Sequence, residues 1–141
     1  MGPRETVVRA SPEAVWAVLS DPFRYDDWVV GTREIREADE TWPAVGSRLH
    51  HTVGVPPLLV HDVTEVLESE PQRRLVLQAK LRPAGVLKVD IRLRPEGANT
   101  RVQMQEHVVG GPLRLTGPLG DVGAQARMEV GLRRLRRLVE R

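Results

Sequence analysis

Three segments between Arg74 and Val109 alternate apolar and polar residues, and one amphipathic helix later in the chain is long enough to cover the face they share. In Val86–Arg94, Leu87, Val89, Ile91 and Leu93 fall on one face, and Lys88, Asp90, Arg92 and Arg94 on the other. In Arg74–Leu81 the inward set is Leu75, Leu77, Ala79 and Leu81; in the segment ending at Val109 it is Val102, Met104, Glu106 and Val108. A one-sided antiparallel sheet must bury its apolar face against another layer. The segment Asp121–Glu140, with Val122, Met128, Leu132, Leu135, Leu138 and Val139 on its apolar side, is the only element large enough to do so. The expected fold is therefore α+β, a curved antiparallel sheet of six or seven strands wrapped around a long C-terminal helix.

The remaining elements follow from local signals. Arg4–Ala10 reads as a first strand. Ser11-Pro12-Glu13 is a helix start: the serine caps, the proline occupies a position that needs no N–H, and the glutamate favours the positive helix end. Asp21-Pro22 repeats the signal, so two short helices, Pro12–Leu19 and Pro22–Tyr25, follow the first strand. Thr32–Glu37 is a second strand. Ser47–Val53 and Leu59–Leu67 form a hairpin around Gly54-Val55-Pro56-Pro57. Arg74–Leu81 and Val86–Arg94 turn at Arg82-Pro83-Ala84-Gly85, and Thr100–Val109 follows the turn Pro95–Asn99. A glycine- and proline-rich bridge from Gly110 to Gly123 leads to the last helix.

These residues resemble the START-like (helix-grip, SRPBCC-type) superfamily, in its polyketide cyclase/dehydrase-like branch. The resemblance is carried by Ser11-Pro12-Glu13, Val15-Trp16, Leu19-Ser20-Asp21-Pro22 and Trp28 within Ala10–Trp28. Gly46 before a strand, Thr100-Arg101-Val102 with Glu106 and Gly111-Pro112-Leu113, and the closing Leu132, Leu135, Leu138 and Glu140 extend it over nearly the whole chain. It implies a helix-grip fold with an apolar cavity between sheet and helix, and it places Tyr25 and Trp28 at the cavity entrance. Function varies widely across such a fold, from carriers to cyclases.

Composition narrows the chemistry. A chain of 141 residues is one domain of ordinary size. No cysteine is present, which excludes disulfides, thiol catalysis and cysteine-ligated metals. All but Lys80 and Lys88 of the 21 basic residues are arginine, yet the net charge is only +2. Arg127, Arg133, Arg134, Arg136, Arg137 and Arg141 alternate with the apolar stripe of the last helix, as a solvated face does, and no aromatic residue lies among them for base stacking. Nucleic acid is therefore not an expected partner. No apolar run reaches the ~20 residues of a membrane span, and Met1–Thr6 carries no targeting signal, so a cytoplasmic monomer or weak homodimer is expected.

Three polar residues fall on inward faces. With a three-residue loop pairing Gly54 with Leu58, His51 lies opposite His61, and both imidazoles point inward at the ~4.5–5.5 Å separation of cross-strand Cβ atoms. Glu106 lies opposite Val89, while His50 and His107 face outward. A carboxylate in an apolar cavity loses its hydration, so it either holds its proton or finds a donor. Two roles are open to it: general acid or base with a histidine, or a structural hydrogen bond to a backbone N–H, an arginine or Tyr25. No metal is expected, because the histidines lack a third ligand at metal spacing. Ser11, Ser20, Ser47 and Ser69 sit at caps, strand starts and turns, and the glycine pairs match no phosphate or dinucleotide loop, so no cofactor is expected. Trp16 reads as core and Trp42, before Pro43, as a surface-loop aromatic.

With few aromatic residues on the inward faces, a void of a few hundred Å3 is expected, lined by Leu77, Ile91, Met104 and Met128. The leading expectation is a protein that holds one hydrophobic or amphipathic small molecule, its polar end oriented by Tyr25, His51, His61 and Glu106, with Trp28 also among the ligand-binding residues. The alternative is a polyketide aromatase/cyclase or dehydratase using an internal acid–base pair among Glu106, His51 and His61. A collapsed core with no cavity would point instead to a partner-binding module.

Overall fold

A computed structural model describes residues 3–30, 32–55, 57–83, 85–112 and 117–141, apart from the side chains of 54, 55, 58 and 117–122. The strands are β1 (Arg4–Val8), β2 (Thr32–Ala38), β3 (Arg48–Val55), β4 (Leu58–Glu70), β5 (Arg74–Leu81), β6 (Gly85–Glu96) and β7 (Asn99–Gly110). The helices are α1 (Pro12–Leu19), α2 (Tyr25–Trp28), which a 3-10 turn at Pro22–Arg24 precedes, and α3 (Gly117–Glu140). Among the described residues, α3 begins four positions before Asp121, inside the bridge expected from Gly110 to Gly123. Leu113, Pro56 and Ala84, which the sequence places in the motif and in two turns, lie outside the described residues, as does the side chain of Val122.

The capping signals act as read. Ser11 Oγ accepts from the Ala14 N–H at 3.2 Å, and an Asp21 carboxylate oxygen accepts from the Phe23 N–H at 3.0 Å. Val15, Val18 and Leu19 of α1 are buried, and Trp16 is half-buried against the same core.

The seven described strands form one antiparallel sheet in the order β1-β7-β6-β5-β4-β3-β2. Strands β2 to β7 run as a meander, and β1 pairs with β7, so the sheet's far edge carries the start of the chain. Register shifts in β2–β3, β4–β5 and β6–β7 mark bulges, which increase local twist and bend the strands. The bent sheet receives α3, which packs on β1, β7, α1 and α2. Val8, Leu75, Ile91, Val102, Met128 and Leu135 are buried between the layers. α3 approaches α2 closely where Gly131 faces the Trp28 carbonyl; a Cβ there would lie 3.2 Å from that oxygen.

Two sequence expectations change here. Trp42 is buried in the core, not displayed on the surface. Its loop is tied down by the Gly46 N–H donating to the Val66 carbonyl at 2.9 Å and by Thr41 and Ser47 hydroxyls 2.8 Å apart, and the indole packs with the core rather than in solvent. The β3–β4 hairpin is also one residue out of the expected register. Val55 pairs with Leu58 and Gly54 with Leu59, so two residues connect the strands where three were expected. Since side chains alternate with period two, a slip of one residue exchanges the faces of β4.

Candidate functional site

The register change decides which histidine reaches the interior. His51 faces Asp62, and His61 faces Thr52. His51 is 1% exposed and lies on the inward face; His61 is exposed on the outer face, its Nδ1 2.9 Å from Thr52 Oγ1. The expected His51–His61 pair is therefore absent, and His61 is no part of the site. Both phases of β4 hold aliphatic residues, so its sequence pattern alone did not reveal which face was buried. His107 is exposed and His50 half-buried on the outer faces.

Between the sheet, α2 and α3 lies a cavity of about 270 Å3. Its wall is mainly aliphatic, with Val53, Leu77, Ala79, Leu81, Leu87 and Val89 from the sheet and Met104 and Met128 facing across it. Ile91 does not line it. The side chain is fully buried in the core instead, where Leu75 and Met104 lie opposite it on the neighbouring strands. Tyr25, Trp28, His51 and Glu106 do line the cavity, together with Thr32 and Arg127. Tyr25 and Trp28 come from one short helix and meet edge to face, ring centroids 5.5 Å apart.

The polar wall is organised by hydrogen bonds. His51 Nε2 lies 3.0 Å from the Lys80 carbonyl, and His51 Nδ1 lies 2.8 Å from Thr64 Oγ1. Thr64 Oγ1 lies 3.4 Å from the Tyr25 hydroxyl. A carbonyl only accepts, so Nε2 carries the proton of the neutral imidazole. Burial lowers the His51 pKa, which favours that neutral form; the Lys80 carbonyl and Asp62 oppose the shift, while Arg36 and His50 add to it. Burial pushes the Tyr25 hydroxyl up to about 12, with the Thr64 hydrogen bond acting against the rise and nearby Glu106 adding to it.

Glu106 has a partner that sequence reasoning missed. Arg127, assigned to a solvated helix face, turns its guanidinium to the Glu106 carboxylate and donates to it. The pairing is the structural role that had been open for Glu106. It does not fully offset desolvation, which leaves the Glu106 pKa above its ordinary value. The available signal was the place of Arg127 beside Met128 on the helix, opposite an inward carboxylate that needed a donor.

Thr64 and Asp62 were also missed. The β4–β5 ladder ends at Thr64 opposite Ala79. Beyond it Asp62, also buried, accepts from the Arg82 backbone N–H at 3.0 Å and from its guanidinium at 3.1 and 2.8 Å. Although burial opposes it, this bonding holds the Asp62 carboxyl down at about 2. Among the described residues no group of three or more His, Asp or Glu side chains could hold a metal. No helix among them is long and apolar enough to cross a membrane.

Residues 4–140 match the family described as polyketide cyclase / dehydrase and lipid transport. No curated protein matches the chain. Solved structures share the fold at low identity. A Chromobacterium violaceum protein is 17% identical with a TM-score of 0.70, over 100% of this chain and 99% of that one. A Nitrosomonas europaea protein is 18% identical with a TM-score of 0.72, over 98% and 94%. Ara h 8.0201 is 10% identical with a TM-score of 0.72, over 97% and 95%.

Proposed function

Because this chain belongs to the polyketide cyclase/dehydrase and lipid transport family, we propose that it binds one small hydrophobic or amphipathic molecule in the cavity between sheet and α3. The observation that carries this reading is the cavity itself: about 270 Å3 of space with an aliphatic wall and polar groups contributed by Tyr25, Thr32, His51, Glu106 and Arg127. Apolar contact supplies affinity in such a site, and a few placed polar groups orient the ligand. The volume suits a compact molecule of one to three rings or a short chain.

The alternative, an aromatase/cyclase or dehydratase, needs a group free to exchange protons with substrate. The raised Glu106 pKa favours it. Against it, Glu106 is held by Arg127, and both His51 nitrogens are committed to Thr64 and Lys80. These arrangements support binding over turnover.

The test is binding of an apolar fluorophore such as 1-anilinonaphthalene-8-sulfonate, alongside native mass spectrometry of the purified protein for a co-purifying ligand. Ala79→Leu puts three more carbons into the cavity. It should reduce dye affinity at least tenfold with the urea midpoint nearly retained. Dye binding unchanged in both Ala79→Leu and Met104→Trp would place the dye elsewhere and remove the reading.

A further inference from the structure

Glu106 and Arg127, the two charged side chains lining the cavity among the described residues, are held differently, and the difference selects the charge of the ligand. Glu106 stands on β7 opposite Val89 of β6, and its side chain is 11% exposed. Strand alternation points it to the cavity side whatever its partner does. Arg127 reaches in from α3 on a long side chain that is 41% exposed. Its guanidinium can exchange the carboxylate for water at small cost, because partly exposed ion pairs contribute little. Glu106 is therefore the resident charge of the cavity, and Arg127 a counter-ion able to step out.

The rest of the polar wall suits a cation. The Tyr25 and Trp28 rings line the same cavity, and aromatic faces attract an ammonium group. Burial first, and then the charge of nearby Glu106, keep the Tyr25 phenol neutral, so ring and carboxylate serve the same part of the cavity. His51, with Nε2 on the Lys80 carbonyl and Nδ1 on the Thr64 hydroxyl, is a neutral imidazole and repels no cation. An anionic ligand meets the opposite situation. By pairing with Arg127 it would leave the buried Glu106 carboxylate beside it without a counter-ion, which is costly. An ammonium that takes the place of the guanidinium leaves no buried charge unpaired.

We infer that the cavity takes a hydrophobic amine, whose ammonium pairs with Glu106 in place of Arg127 and whose apolar body lies against Tyr25, Trp28 and the aliphatic wall. The inference rests on the apolar-ligand reading above and adds the charge. Arg127 is then a built-in competitor: it keeps the carboxylate paired while the cavity is empty and yields to the ligand. A neutral alcohol of the same shape brings no charge to replace the guanidinium, so it gains only the apolar contact and at most one hydrogen bond.

The experiment is calorimetric titration at pH 7 with naphthalene, 2-naphthylmethylamine, 2-naphthylmethanol and 2-naphthoate. The amine should bind at least tenfold more tightly than the alcohol, and the naphthoate more weakly than the alcohol. Arg127→Ala removes the competitor and should enlarge the amine-over-alcohol ratio at least threefold. Glu106→Gln, nearly isosteric, should bring amine and alcohol within twofold of each other. Equal affinities for amine and alcohol in the wild-type protein, or a naphthoate that binds more tightly than the alcohol, would overturn the amine assignment and leave the apolar cavity reading intact. An amine preference that shrinks in Arg127→Ala would overturn the replacement of the guanidinium. Failure of all four compounds to bind would overturn the cavity reading and this inference with it. The wild-type comparison needs no variant, so a poorly folding substitution does not shelter the proposal.

Discussion

His51 and Asp62 stand directly opposite each other on β3 and β4, and both reach past their own strands to the end of β5. His51 bonds to the Lys80 carbonyl, and Asp62 to the Arg82 backbone and guanidinium. They hold β5 against β4 beyond Thr64 and Ala79, where the backbone ladder stops. Leu81, between the two bonded residues, lines the cavity. The two side chains thus shape one rim of the site.

Asp62→Asn should destabilise the protein by about 1–3 kcal/mol at pH 7, since a buried acceptor loses charge-assisted bonds. The folded Asp62 pKa is depressed to about 2. Its stabilisation is therefore present above the unfolded carboxylate value and disappears as pH falls through the folded one. Urea unfolding of both proteins should show a stability difference that is constant above pH 5 and shrinks between about pH 4 and pH 2. A pH-independent difference would contradict the Asp62–Arg82 clamp.

His51→Leu should cost about 1–3 kcal/mol by leaving the Thr64 hydroxyl and the Lys80 carbonyl without this partner. The folded pKa of His51 is lowered, so the unfolded chain binds its proton first as pH drops. The stability contributed by neutral His51 is full above the unfolded histidine value and declines below it. Wild-type stability should fall more steeply between pH 7 and pH 5 than that of His51→Leu. Nitrogen-15 NMR should report the Nε2–H tautomer.

Glu106→Gln should leave stability at pH 7 unchanged or slightly higher, because the folded state disfavours the charged carboxylate. With a raised folded pKa, Glu106 gains relative stability as pH falls through that value, so any advantage of Gln should vanish toward pH 4. Arg127→Ala should push the Glu106 pKa further up, as carbon-13 NMR of the carboxyl would register. A downward shift would disprove the pair.

Gly131→Val should lower the urea midpoint and disturb the tryptophan emission, because its branched side chain meets the Trp28 backbone oxygen. Gly131→Ala should change stability by less than about 1 kcal/mol: the helix-propensity gain of that size offsets a contact tighter by a few tenths of an ångström. A fully tolerated valine would show that α2 and α3 do not meet as described.

Local signals made much of the architecture legible. Ser11-Pro12 and Asp21-Pro22 announced the two helix starts, and the alternation through Leu75, Leu77, Leu87 and Leu93 announced the buried face, because capping and period-two alternation are written over a few neighbouring residues. The pairing of Val89 with Glu106 followed from a correctly placed turn. The site was decided at longer range. A connection one residue shorter than expected turned His61 outward and brought in Asp62 and Thr64, and no local pattern on β4 separates those two phases. Arg127 meets Glu106 only once α3 lies on the sheet, and Trp42 is buried only once its loop is tied to β4. Segment chemistry thus set which elements form, and the packing of sheet, loop and helix set which polar groups face the cavity.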